Sequence, residues 1–388
     1  MIFVIYYCIE MKKLFIQIIS LSICLTISGQ TISQSNNRYR GSDVLEKKQI
    51  VVKGFGLNDT KGVWSLEEAE LSEGSYDAEY TTETDTLMAV ERGNRTYYSQ
   101  DRGSVSIIGS ENFMELISYD MPETWLTFPM QVGDSVCGYF NGSGPYCERF
   151  FLRRYGTYKT KADAAGKIVL PQGDTLRNVL RLHTERYVGT IAVPIDTMLY
   201  KIPAFTVDSI VQHLAPDTAK VREDIYRWYA EGYRYPILEA KTTSYRDSML
   251  TEEMYYCPPE IQEQLPLDEE NKQVRARLIE EELARWQSPS LSPDDGHHPQ
   301  KRGKDGFSYE LSQPDGSDLV TIHYDTDHET RVTALISNGL GYIYRRADQS
   351  CPVGSGQFSL NCTGLRKGQY IIYIHVDGNQ YAEKVNVK

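Results

Sequence analysis

The chain has 388 residues, 40% hydrophobic and 24% charged: enough apolar sequence for two or three domains with true cores, and too much for a wholly disordered protein. Its 41 Lys and Arg stand against 53 Asp and Glu, a net charge of −12. That balance excludes a protein that tracks nucleic-acid phosphates or holds an anionic membrane through a polybasic face.

Residues 1–29 read as a signal peptide. Met11-Lys12-Lys13 gives a positive start, Leu14 to Ile27 is mainly apolar, and Ser28-Gly29 offers small residues ahead of Gln30. Residues 1–10 read as an upstream mis-start, because they bury the charged start inside apolar sequence. The expected destination is the cell surface or the medium. The alternatives are the periplasm, an uncleaved N-terminal anchor, or a lipoprotein attached through Cys24, although the preceding Ile23 is bulky where such sites want a small residue. No later stretch approaches the roughly 20 apolar residues of a spanning helix, so no transmembrane segment is expected after cleavage.

Residues 30–260 carry short β-branched and aromatic runs separated by Gly, Asn, Asp and Pro. Ile50-Val51-Val52, Ser104 to Ile108, Trp125 to Phe128, Ser135 to Phe140 and Tyr146 to Leu152 are predicted strands. Lys167 to Pro171 and Thr175 to His183 flank a tight turn at Gly173-Asp174. Tyr226 to Tyr229 and Arg234 to Glu239 repeat the pattern, while Val207 to Leu214 fits helix and strand alike. Regular turn signals predict an antiparallel sandwich or barrel-like domain, not an α/β fold. Cys137 and Cys147 lie symmetrically about Asn141-Gly142, so a hairpin there would face them across a disulfide. Cys351 and Cys362 bracket a similar loop, and Cys257 is left over. Export makes two disulfides the expectation, with buried free thiols as the alternative.

Residues 261–306 change in composition. Asp268 to Gln287 is dense in Glu, Lys and Arg, with Val274, Leu278, Ile279, Leu283 and Trp286 at helical spacing, which predicts a mostly solvated helix with one narrow apolar stripe, a partner-binding helix being the alternative. Ser288 to Asp305 has no apolar period and reads as a flexible linker. Alternation then resumes over 307–388 in Leu319 to Tyr324, Thr330 to Ile336, Gly341 to Arg345, Gln357 to Leu360, Tyr370 to Val376 and Tyr381 to Val387. Asp377-Gly378 marks a tight hairpin, and the set predicts a small immunoglobulin-like β-sandwich.

The residues Val332 to Ile336, Asn338-Gly339-Leu340-Gly341, Leu365-Arg-Lys-Gly368-Gln-Tyr370, Asp377-Gly378-Asn379 and Lys384-Val-Asn-Val-Lys388 resemble a type IX secretion C-terminal sorting domain. The signature positions are Leu365, Gly368, Tyr370, Gly378, Lys384 and Lys388. The resemblance implies a β-sandwich read by the secretion translocon of the outer membrane. The family's Pro-Asn-Pro opening is missing, with only Gln313-Pro314-Asp315 in its place. The larger part resembles uncharacterised β-rich regions found upstream of such domains, which brings no activity with it. Triplets such as Asp85-Thr86-Leu87, Asp134-Ser135-Val136 and Asp174-Thr175-Leu176 resemble O-glycosylation acceptors of bacteria with this secretion route; they are equally how a turn hands over to a strand.

Chemistry is sparse. The sequence has no Gly-x-Ser-x-Gly elbow and no glycine-rich phosphate loop. Cys257 precedes Pro258-Pro259 with nothing nearby to activate it. His323, Asp325, Asp327 and His328 are close enough to hold a metal, but they fall where a strand ends and polar residues belong anyway. No catalytic, cofactor or metal residue is assigned. Tyr226, Trp228, Tyr229, Tyr233 and Tyr235 could face a glycan or protein ligand, though aromatic strands more often fill a core. The expectation is an exported, non-catalytic binding or structural module, with a surface hydrolase acting on polysaccharide or protein as the alternative.

Overall fold

The computed structural model describes residues 30–387 apart from 53–54, 56, 58–60, 172, 198–202, 216–219, 247, 288–305 and 314–316. The expected signal peptide, the linker with His297 and His298, and Lys388 lie outside the described residues.

The chain is mainly β. Twelve strands form one antiparallel ring: β1 (Val44–Val51), β3 (Glu70–Glu83), β4 (Thr86–Glu91), β5 (Asn94–Gln100), β6 (Ser104–Glu111), β7 (Leu116–Thr127), β8 (Ser135–Tyr146), β9 (Phe150–Val169), β10 (Thr175–Pro194), β11 (Lys220–Ala230), β12 (Leu238–Tyr245) and β13 (Ser248–Tyr256). Neighbours follow chain order, and β13 closes on β1 with Lys48 opposite Tyr256. The short strand β2 (Val63–Ser65) sits outside the ring, parallel to the end of β9. Alternation decides which side chains enter. In β4, Leu87, Ala89 and Glu91 point inward, level with Ala78 and Tyr80 on β3. On β9, buried Thr160 and Ala162 alternate with exposed Lys159 and Lys161, so charges stud the outer wall where a lipid-facing barrel carries an apolar band. Among the described residues no helix is long and apolar enough to cross a membrane.

Seven more strands make the C-terminal sandwich: β14 (Phe307–Ser312), β15 (Leu319–Thr326), β16 (Thr330–Ser337), β17 (Ile343–Cys351), β18 (Gly354–Asn361), β19 (Gly368–Val376) and β20 (Asn379–Val387). The sheets are β14-β15-β18 and β17-β16-β19-β20, three strands against four in the immunoglobulin-like manner. Tyr370, Ile372, Ile374 and Val376 share the buried inner face of β19, as their spacing predicts. Asp377 and Gly378 both have positive φ, and Val376 pairs with Asn379, the two-residue hairpin that Asp-Gly favours.

Four helices complete the described chain: α1 (Gln34–Asn37), α2 (Val207–His213), α3 (Pro259–Glu263) and α4 (Glu269–Gln287). Thr206 caps α2, its hydroxyl accepting from the Ser209 amide, which settles that segment as helix. The apolar stripe of α4 is covered within the chain: Ile279 and Leu283 pack on Ile371 and Tyr373, the outer face of the four-stranded sheet. One core then runs from Trp228 and Tyr256 on the outer wall of the barrel, through Trp64 and Leu66, to Val332 and Leu360 of the sandwich. The sandwich is therefore docked on the barrel.

Both expected disulfides are absent. All five described cysteines are free thiols. The Asn141-Gly142 hairpin does not form: β8 runs straight through it, pairing Asn141 with Tyr155 and Gly142 with Arg154. The turn comes later, at Cys147 and Glu148, which both have positive φ. Gly142 is small because β7 passes close by, a Cβ there standing 2.8 Å from the Ser118 carbonyl oxygen. Cys137 and Cys147 thus lie near opposite ends of one strand, roughly 30 Å apart by strand rise. Cys351 and Cys362 likewise flank the two ends of β18, both buried.

Candidate functional site

A ring of twelve strands encloses more space than side chains from its wall can fill, since about eight strands already reach that limit. At one mouth the space is filled by a plug. Tyr39, from the segment that follows α1, stacks on Tyr235 at 5.2 Å and meets Tyr80 and Tyr98 edge-on, both at 5.5 Å. The Trp125 indole donates to the Tyr39 hydroxyl at 3.0 Å. Beneath lie Leu45, Leu87, Val105, Leu126, Leu180 and Leu182, a dry apolar layer. Arg234 ties the plug down: its guanidinium donates to Asp268 at 2.6 Å and to the carbonyls of Ser35 and Arg38 at 3.2 and 2.8 Å.

One step further along each strand the inward side chains become charged. The Lys47 ammonium donates to Glu239 at 3.0 Å and to Glu91 at 3.3 Å, while Tyr76 donates to Glu91 at 2.7 Å. Burial alone would lower the Lys47 pKa, but the Glu239 and Glu91 carboxylates hold it well above its usual value. Lys47 is 3% exposed, whereas the two carboxylates are 27% and 30% exposed, so water enters the lumen from the end opposite the plug. Arg92 lies over the Tyr255 ring at 4.2 Å and reaches Glu253 at 3.4 Å.

Across the lumen, Arg186 stands between Glu123, 2.8 Å away, and Glu223, which also meets Lys241 at 2.7 Å. The two carboxyls are pushed apart. Burial raises Glu123 above the ordinary range despite the nearby Arg186. For Glu223 burial pulls the same way, but Arg186 and Lys241 outweigh it and hold the carboxyl at about 2. Arg227 completes the belt, its guanidinium 3.8 Å above the Trp125 ring and donating to Thr184 at 3.1 Å.

A split pair such as Glu123 and Glu223 is the pattern from which carboxyl acid–base catalysis is built. Here Glu123 is fully enclosed and no substrate atom reaches it. Apart from Arg227, which meets the Trp125 ring and carbonyl and the Thr184 hydroxyl, the belt is a set of paired ions with a wetted edge. It can exchange some of those pairs for the polar groups of an entering ligand.

The residues singled out from the sequence fall elsewhere. Tyr226, Trp228, Tyr229, Tyr233 and Tyr235 are all buried and serve as core, not as a ligand face. His323 bonds Ser312, and His328 bonds Asp327 and Asp377, so the polar cluster at 323–328 is spent on turn contacts. No group of three metal-binding side chains occurs among the described residues. Burial pushes the Cys257 thiol up to about 12, which leaves it unreactive. Of the sorting signature, Leu365 packs on the shared core, Gly368 opens β19, Tyr370 is buried and Lys384 pairs with Glu280 of α4.

The lumen belt escaped sequence reading, although a signal existed. Leu45-x-Lys47 and Leu87-x-Ala89-x-Glu91 place charges two residues from apolar ones, hence on the same inward face. In comparisons with known proteins, the chain matches no family model and no curated protein.

Proposed function

We propose that this chain is an exported, non-catalytic binding module. The open end of the barrel receives a polar ligand, a glycan or protein segment, and the C-terminal sandwich is the part handled by a type IX secretion translocon. The observation that carries the binding reading is the belt around Lys47, Glu91, Glu239 and Lys241. It is seated on three strands, β1, β4 and β12, is partly wetted, and has no accessible nucleophile and base in reach of each other. The delivery reading rests on the sequence resemblance carried by Leu365, Gly368, Tyr370, Gly378 and Lys384, and the seven-stranded sandwich that holds them supports it. The enclosure of Glu123 weighs against the hydrolase alternative.

Glycan and peptide arrays probed with the mature chain test the binding reading. A hit should weaken in a Glu239→Gln, Lys241→Ala double variant; silence on both arrays, or equal binding by the variant, removes it. For delivery, residues 307–388 are fused to a periplasmic reporter in a bacterium that has the translocon. The reporter should reach the surface, and one retained in the periplasm ends the sorting assignment.

A further inference from the structure

Where the sandwich meets the barrel cap, the α4 helix that Asn271 ties to Asn36 of the plug segment, a cavity of about 320 Å³ opens to solvent. Two bodies build it. From α4 come Lys272 and Arg275, from the loop before β19 come Arg366 and Lys367, and Tyr344 and Tyr370 form its aromatic side. Arg275 is held in place, donating to the Gly232 carbonyl at 2.6 Å with its guanidinium 5.6 Å over the Tyr233 ring. Neither Arg366 nor Lys367 has an ion-pair partner among the described residues.

Four cations thus converge against two carboxylates. Glu269 is spent on Lys272 at the rim, 3.4 Å away. Glu263 lies at the back, buried, accepting from the hydroxyls of Tyr233 at 2.8 Å and of Tyr344. Partial desolvation and then the neighbouring Arg275 lower the Arg366 pKa, while Glu263 and Tyr370 oppose the shift. A cavity with more cations than carboxylates, one guanidinium held in place and phenols on its wall, is complementary to a planar or tetrahedral oxyanion.

We infer that this seam cavity binds a small oxyanion, a phosphate or carboxylate group, held between Arg275 of the barrel cap and Arg366 and Lys367 of the sandwich. Such an ion neutralises the facing guanidiniums and bridges the two bodies, so its binding strengthens their docking.

Calorimetric titration of the mature chain with inorganic phosphate tests the site, with acetate and a phosphomonoester run in parallel to tell phosphate from carboxylate. Saturable binding of any of the three is expected, weakened at least about tenfold in an Arg366→Ser, Lys367→Ser double variant. Both side chains are exposed, so that variant should keep the parent's melting profile; Arg366→Lys, which retains the charge, should recover part of the affinity. Amide exchange should slow together at 272–276 and 366–370 when the ion is bound. Absence of saturation at millimolar anion, or unchanged affinity in the double variant, overturns the assignment. Protection confined to one of the two segments overturns the bridging.

Discussion

Inside the sandwich Ile322, Leu360, Ala334 and Ile374 meet among tyrosines and cysteines with no buried charged side chain among the described residues, whereas the barrel of the same chain seats Lys47, Glu123, Arg186 and Arg227 within its wall. The difference follows from geometry. Two sheets about 10 Å apart are filled by the side chains they present to each other. A twelve-stranded ring is too wide for that, so it takes in a separate plug at one end and long charged side chains further down. A buried charge must then be paired, and every such pair is a point of sensitivity that the sandwich lacks.

That contrast can be broken by substitution. Lys47→Met leaves Glu91 and Glu239 without their shared cation and should cost about 3 kcal/mol, read from the shift in urea midpoint; the carboxylates' contact with water keeps the loss at the low end for a broken buried pair. A loss no greater than that of an exposed pair would show that the lumen is wetter than the burial of Lys47 implies. Gly339→Ala acts at the seam instead. Its Cβ would stand 2.4 Å from the Leu278 backbone, so the sandwich must shift off α4 at a cost of about 2 kcal/mol, and limited proteolysis should then separate the two bodies sooner.

Acid sharpens the comparison, because the two regions respond with opposite sign. Glu223 is held at about 2 against an ordinary 4.5, so its contribution is complete above the ordinary value and disappears as pH falls toward 2. Glu263 is raised by burial, which the nearby Arg275 and the tyrosine hydroxyls only partly oppose. Its contribution is complete below 4.5 and declines as pH rises through its folded value. Melting temperatures taken across pH should show Glu223→Gln flattening the acid limb and Glu263→Gln flattening the limb above it. The reverse assignment would mean that the charges at lumen and seam have been misplaced. The smallest effect is chemical: a maleimide should label Cys137 and Cys147 in the native chain and reach Cys257, Cys351 and Cys362 only on unfolding.

What could be read from the sequence depended on how local its cause is. The hairpin at Asp377-Gly378, the inner face of β19 and the stripe of α4 are set by residues within a few positions of each other. The Asn141-Gly142 turn failed because a neighbouring strand, distant in sequence until folding, demanded a glycine there for clearance. Asp85, Asp134 and Asp174 stand just ahead of β4, β8 and β10, as a turn-to-strand reading expects, whereas Asp196-Thr197-Met198 starts in a 3₁₀ turn and Asp208-Ser209-Ile210 lies inside α2. Lys47 meeting both Glu91 and Glu239 is a product of ring closure, and no local window contains all three.

Because β1 finds its second neighbour only in β13, the ring closes only when its last strand is in place. A chain emerging from its N-terminus must keep β1 unsatisfied along one edge until Tyr256 is available, and the Tyr39 plug waits equally for Tyr235. Closure therefore depends on contacts between distant parts of the chain, the kind of topology that slows folding. Removing β13 should leave β1 with one open edge and the Tyr39 plug without its closing wall.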